Sequence, residues 1–143
     1  MKNIVILALC MLACVLVHAQ TPLAVKTASY NFTISAPAGA TAAEQFGELK
    51  ITAGTGYCVE VSVGAANSVA SKKAELAKNP QYNFKAYITD TPDGFLYSTT
   101  LGTVHFFYAK KVGAKILAFE DFKTAHYTQA QEQAMFDSAK SAK

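Results

Sequence analysis

The fold is decided by residues 95–120, which read FLYSTTLGTVHFFYAKKVGAKILAFE. Apolar and polar residues alternate there in short runs, broken at Gly102 and at Val112-Gly113, and a period of two is typical of β-strands. The breaks are too short for a crossover to a parallel neighbour, so consecutive strands must be antiparallel. The run 104–108 is apolar on both faces, which predicts a central strand covered on both sides.

Strand patterns also fill the chain before this stretch. Period-two alternation recurs in four segments: 30–34, 49–53, 57–63 and 82–88. Gly54-Thr55-Gly56 separates the second segment from the third and predicts a hairpin. The turn residues at 91–94 predict that the fourth segment pairs with the strand that starts at Phe95. Residues 38–43 are small and without pattern, and they predict a loop.

Two segments carry helical signals. Residues 68–78 are rich in Ala, Lys and Glu and end at Asn79-Pro80, which is a stop signal. Thr128 and Gln131 have the spacing of a capping box in front of a second helix. The sequence therefore predicts one α+β domain, with a mainly antiparallel sheet of about six to seven strands and two helices, one mid-chain and one C-terminal. We expect both helices on one face of the sheet, which is the simplest way to bury both apolar stripes.

The first 19 residues are typical of a signal peptide. Lys2 precedes an apolar run at 4–17, which is shorter than a bilayer-spanning helix needs. The run ends in Val17-His18-Ala19, a small-residue pattern suited to signal peptidase. We therefore expect cleavage before Gln20 and export to the periplasm or the extracellular space.

Removal of this segment sets the expected domain boundaries. Residues 20–28 have a mixed composition with Pro22 and predict a flexible leader, and 29–143 form the single α+β domain. No later apolar run is long enough to cross a membrane, so the mature chain is expected to have no transmembrane segment. An alternative is lipoprotein processing and anchoring at Cys14, because Leu12-Ala13-Cys14 partly matches a lipobox.

Three segments are similar to those of a known family in their residues and in their order along the chain. They are YNFTISAPAG at 30–39, the hairpin around Val112-Gly113, and a final helix ending in SAKSAK at 138–143. On these segments the chain resembles the PsbP-like fold family, that of the extrinsic photosystem II protein and its exported bacterial relatives. The resemblance implies an antiparallel sheet between helices and a non-catalytic accessory or binding role. It supplies no site residues.

The composition argues against several classes of function. The chain has 13 Lys and no Arg against 10 acidic residues, for a formal net charge of +3. Arg is the side chain that usually reads guanine edges and clamps phosphates, so its absence argues against nucleic-acid binding. The sequence has no Cys-x-x-Cys or His-x-x-x-His pair, no phosphate loop and no dinucleotide fingerprint. We therefore expect no metal and no cofactor.

Two residues remain as candidates for chemistry. Cys58 is the single cysteine after residue 19, and a thiolate paired with a His is the commonest nucleophile that a lone Cys could make. Its place on a predicted strand favours a small packing residue instead. His105 lies within an aromatic strand, which favours a packing role for it as well.

Three functions are consistent with these observations. The first is an exported, non-catalytic binding or interaction module of the cell envelope, whose partner is an unknown protein or small ligand. The alternative is a carrier of a lipid or other apolar small ligand, in which Tyr87, Tyr97 and Phe107 would line a groove. The third is a thiol enzyme using Cys58 with His105.

Overall fold

The structure is a computed structural model that describes residues 19–64 and 68–143. The segment expected to be a signal peptide lies outside the described residues up to residue 18. The strands are β1 (Gln20–Lys26), β2 (Asn31–Pro37), β3 (Thr41–Gln45), β4 (Glu48–Thr52), β5 (Cys58–Val63), β6 (Phe84–Thr91), β7 (Gly94–Thr99), β8 (Val104–Val112) and β9 (Lys115–Asp121). The helices are α1 (Val69–Lys78) and α2 (Gln129–Ser141), and a 3₁₀ turn covers Pro80–Tyr82.

Seven of these strands form one antiparallel sheet in the order β3-β4-β5-β9-β8-β7-β6. Strands β1 and β2 form a separate two-stranded ribbon. The α+β class, the mainly antiparallel sheet and the two helices are confirmed. Residues 95–120 supply most of the three adjacent strands β7, β8 and β9, so the most strongly patterned part of the sequence forms interior strands of the sheet.

The two helices cover opposite faces of the large sheet. Leu76 of α1 packs in one cluster with Phe107, and Phe136 of α2 packs in the other with Phe106. Neighbouring residues on a strand point to opposite faces, so α1 and α2 cannot share a face. The prediction that both helices lie on one face is therefore wrong, because strand β8 is apolar on both faces and each face needs its own cover. The prediction that residues 104–108 are covered on both sides is confirmed.

Two edge strands replace segments predicted to lack regular structure. Residues 20–26 of the expected flexible leader (20–28) form β1, which pairs along its whole length with β2 and buries Val25. Pro22 is tolerated because an edge strand can spare one N–H donor. Strand β3, at Thr41–Gln45, lies largely within the expected loop at 38–43 and pairs on one side with β4.

Helix α2 is held from both ends. The capping box is confirmed: Gln131 N–H donates to Thr128 Oγ1 at 3.3 Å, and Thr128 N–H donates to Gln131 Oε1 at 2.8 Å. At the other end, Thr33 of β2 and Lys143 exchange two backbone hydrogen bonds at 2.9 and 3.0 Å. These bonds fix the ribbon against the helix. Across 19–64 and 68–143, no helix has both the length and the apolar character to span a bilayer.

Candidate functional site

An open pocket of about 390 Å³ lies where the 3₁₀ turn meets the ends of β7 and β8. We call it the His105 pocket. Tyr82 and Tyr97 contribute aromatic rings to its wall, and Lys123 and His126 come from the segment between β9 and α2. The remaining lining residues are Asn79, Gln81, Asn83, Thr99, Leu101, Thr103 and His105.

The 3₁₀ turn forms one wall of the pocket, and an asparagine lies at each end of this turn. The Asn79 backbone N–H ends α1 by donating to Glu75 at 2.9 Å, and the Asn79 side chain accepts from Gln81 N–H at 3.0 Å. Asn83 closes the turn with a left-handed φ of 50°, a conformation that Asn adopts more readily than most residues. Its carbonyl accepts from Thr100 N–H at 2.8 Å, so the turn is fixed to the β7–β8 connection.

His105 is held by hydrogen bonds at both ring nitrogens. Nδ1 lies 2.7 Å from Asp121 Oδ2, and Nε2 lies 2.9 Å from the Thr103 hydroxyl. Because a carboxylate accepts hydrogen bonds, Nδ1 carries the proton in the neutral ring and Nε2 accepts from Thr103. The Thr103 hydroxyl is also 2.7 Å from Thr99 Oγ1, and Asp121 Oδ1 accepts from Phe106 N–H at 3.3 Å.

This arrangement orients an imidazole beside a pocket. The ring also packs on Tyr97, with centroids 5.5 Å apart, and 13% of the His105 side chain is exposed. The order hydroxyl, imidazole, carboxylate is that of a catalytic triad, in which the carboxylate fixes the tautomer and orientation of the ring. Here the Thr103 hydroxyl is shared with Thr99 and links the ends of two strands. The arrangement therefore fixes the orientation of the imidazole in the pocket wall, with both ring nitrogens bonded within the chain.

A second carboxyl group lies behind His105 and Asp121. Glu132 of α2 is fully buried, and neither of its carboxylate oxygens has a hydrogen-bond partner within the part of the chain that is described. Burial, with a smaller contribution from the charge of Asp121, raises the pKa of the Glu132 carboxyl to about 9. Candidate ligand atoms of His105, Asp121 and Glu132 all lie within 4.8 Å of one another, so these residues could hold a metal ion.

Cys58 lies elsewhere in the sheet, on β5, and is buried. Burial is the main cause that raises the pKa of the Cys58 thiol, and the charge of Glu60 adds to it. A nucleophilic thiol needs the opposite shift. Both ring nitrogens of His105 are already bonded to Thr103 and Asp121, so the structure does not pair this imidazole with the Cys58 thiol.

The sequence indicated His105 but missed its two acidic partners. The sequence around Asp121 indicates a buried acid, since Asp121 ends a strand whose other residues on the same face, Leu117 and Phe119, are apolar. Glu132 was a second signal, because it shares a helical stripe with the buried residues Met135, Phe136 and Ala139. An acidic residue inside an apolar stripe calls for a buried partner.

Comparisons with protein-family models, with curated proteins and with solved structures found no significant match to this chain.

Proposed function

We propose that this protein is an exported binding module of the cell envelope that holds a small polar ligand in the His105 pocket. The observation that carries the proposal is the pocket itself, with a volume of about 390 Å³ and a fixed imidazole in its wall. Pockets that bind small molecules generally span about 300–1,000 Å³ and combine apolar walls with a few positioned polar groups.

The composition of the wall supports a planar, polar ligand. Tyr82 offers an aromatic ring against which a flat group can stack. Lys123 and His126 supply hydrogen-bonding groups beside it, and His105 adds a fixed ring whose two nitrogens are bonded within the chain. Lys123 is itself oriented, since its ammonium lies 3.2 Å from Glu120 and 5.2 Å from the centre of the Tyr82 ring.

Export is supported by the sequence of residues 1–19, which has the charge, length and ending of a signal peptide. The resemblance to the PsbP-like family supports an accessory or binding role. A sheet between two helices is also the arrangement that this resemblance implies.

The structure gives less support to the alternative function, a carrier of an apolar ligand. Phe107 and Tyr97, which were expected to line its groove, are packed with Leu76 and Phe95 in the cluster between α1 and the sheet. Tyr87 packs against Phe95 at 5.2 Å between ring centroids. These rings fill a core layer and leave the polar His105 pocket as the better candidate for a binding site.

The test is native mass spectrometry of the protein purified from the envelope of its own host. We expect a chain that begins at Gln20 and carries a small molecule that leaves on denaturation. Replacing the exposed His126 with alanine should reduce its occupancy, while Phe46→Ala, in the exposed β3–β4 turn, serves as the matched control. A bare chain in the wild type and the control alike would contradict the binding proposal, and a chain that retains residues 1–19 would contradict export.

A further inference from the structure

Two carboxyl groups, those of Asp121 and Glu132, meet in the core of the domain. Asp121 ends β9 and is 1% exposed, and Glu132 lies in the first turn of α2 and is 0% exposed. With His105 of β8 they form a cluster of three residues from three elements, whose candidate ligand atoms lie within 4.8 Å of one another. We call it the His-Asp-Glu cluster.

The protein supplies few groups to neutralise this cluster. Asp121 receives hydrogen bonds from His105 and from Phe106 N–H, but both oxygens of Glu132 lack a partner in the ranges 19–64 and 68–143. Lys123, two residues after Asp121, pairs instead with Glu120 at 3.2 Å. Strand alternation sends the side chains of Glu120 and Asp121 to opposite faces of the sheet. A buried carboxylate without a partner is costly, and buried charges in proteins are usually paired or coordinate metals.

From this geometry we propose that His105, Asp121 and Glu132 bind a divalent transition-metal ion. One imidazole nitrogen with two carboxylates is a donor set that suits Zn²⁺ or Mn²⁺. Ligands at about 2.1 Å from a tetrahedral ion stand about 3.4 Å apart, so His105 Nδ1 and Asp121 Oδ2, which lie 2.7 Å apart, have to separate slightly while Glu132 moves closer to them. Glu132 is the residue free to make that movement, because no hydrogen bond holds its carboxylate.

The surroundings of His105 also suit a metal ligand. An ion at Nδ1 takes the place of the Nδ1 proton, and the neutral ring then carries its proton on Nε2. Nε2 lies 2.9 Å from Thr103 Oγ1, which can accept a hydrogen bond there. Metal-binding histidines almost always donate their second ring N–H in this way, which fixes the ring orientation.

The inference does not depend on the ligand proposed for the His105 pocket. It also departs from the expectation that the chain binds no metal, since that expectation rested on local motifs. The ligands here lie at 105, 121 and 132, and the fold alone brings them together. His105 is the member of the cluster that also lines the pocket, so an ion can reach the cluster from that side.

The test is a titration of the chelator-treated mature chain, residues 20–143, with ZnCl₂ and with MnCl₂ by isothermal titration calorimetry. We expect one ion per chain for at least one of the two metals. Glu132→Gln keeps the size of the side chain and removes a ligand charge, and it should weaken binding at least tenfold. Asp137→Asn is the matched control, because Asp137 is exposed on the same helix, and it should bind like the wild type.

A second measurement separates a lost site from a damaged fold. The melting temperature of the wild type should rise with the metal, whereas that of Glu132→Gln should stay unchanged by it, with both proteins giving the same circular dichroism spectrum. The proposal is overturned if the wild type takes up neither metal, if Glu132→Gln binds as tightly as the wild type, or if Asp137→Asn loses binding to the same extent as Glu132→Gln.

Discussion

Glu132 occupies an unusual position for a carboxyl group. It lies in the first turn of α2, where the partial positive charge of the helix N-terminus offsets part of the cost of burial. That effect is not sufficient, because burial and the nearby Asp121 still raise the pKa of Glu132 to about 9. Without a metal ion, the protonated carboxyl is therefore the favoured form at neutral pH.

This raised pKa makes the stability of the metal-free protein depend on pH. Glu132 holds its proton in the folded chain but loses it near its ordinary pKa in the unfolded chain, so its contribution is fully present below about pH 4.5 and is lost as pH rises toward 9. With chelator present, we expect the free energy of unfolding to fall by up to about 1.4 kcal/mol per pH unit within this window. Urea denaturation at a series of pH values measures it.

The control for this prediction is Glu132→Gln, which cannot titrate and should flatten the slope. Asp121 and His105 are the titratable neighbours inside the cluster and are present in both proteins. Tyr97 and Tyr127 also feel the charge of Glu132, but burial keeps the pKa of each hydroxyl above this range. An equally steep slope in the wild type and in Glu132→Gln would show that Glu132 is not the group responsible.

Individual residues of the site could be predicted from the sequence only in part. His105 stood out because a polar side chain interrupts an aromatic strand. Asp121 and Glu132 give a weaker signal, an acid within an apolar stripe, since strand ends and helix surfaces often carry acids. Their meaning depends on the packing of α2 against β8 and β9, which no local spacing encodes.

At the scale of single elements, the cap of α2 sets the position of Glu132. Replacing Thr128 with alanine removes the side chain that accepts from Gln131 N–H, and we expect a loss of about 1 kcal/mol in the free energy of unfolding. Denaturation monitored by circular dichroism measures this loss. Thr124→Ala, in the exposed segment before the cap, is the matched control, and an equal loss in both variants would contradict the role of the cap.

Strand β7 starts at a glycine that cannot carry a side chain. A Cβ atom at Gly94 would lie 2.5 Å from the Phe107 carbonyl oxygen and 2.9 Å from the Tyr108 Cα. Because these are backbone atoms of the neighbouring strand, Gly94→Ala should cost about 1–3 kcal/mol of stability. Gly56→Ala is the control, since its Cβ would meet only the flexible end of Gln131. Equal thermal stability of the two variants would contradict this packing.

Strands were predictable from the sequence where apolar and polar residues alternate clearly. Strands β7, β8 and β9 show this alternation because each is buried by the helix layers, and β2 and β6 show it although each pairs on one side only. Strands β1 and β3 also pair on one side only, but their sequences, with Pro22 in one and mostly small or polar residues in the other, carry a weak pattern. An edge position does not require a strong pattern, so such a strand can escape prediction.

At the scale of the whole molecule, β1 belongs to the folded domain. It buries Val25 and pairs with β2 over seven residues, and β2 in turn bonds to the chain end after α2. Deleting residues 20–26 should therefore lower the free energy of unfolding by about 2 kcal/mol or more, since burial of one Val alone contributes about that much. An unchanged urea midpoint in the shortened chain would support a flexible leader instead.

The placement of the helices also belongs to this scale. The apolar stripe of each helix could be read from the sequence, but the face of the sheet that it covers could not. Strand β8 determines that the helices lie on opposite faces, because the apolar side chains of Phe106 and Phe107 point in opposite directions and each has to be buried by a helix. The His-Asp-Glu cluster exists because α2 lies on the face to which Asp121 points.

The most direct test is a nitrogen-15 NMR measurement of the two histidine rings in a chain of residues 20–143, with chelator and then with ZnCl₂. In the metal-free protein we expect His105 to carry its proton on Nδ1, bonded to Asp121, and to move it to Nε2 when zinc binds. His126 is exposed and should show no such change. If His105 exchanges freely between tautomers as an exposed ring does, the fixed imidazole does not exist, and if zinc leaves its spectrum unchanged, His105 is not a zinc ligand.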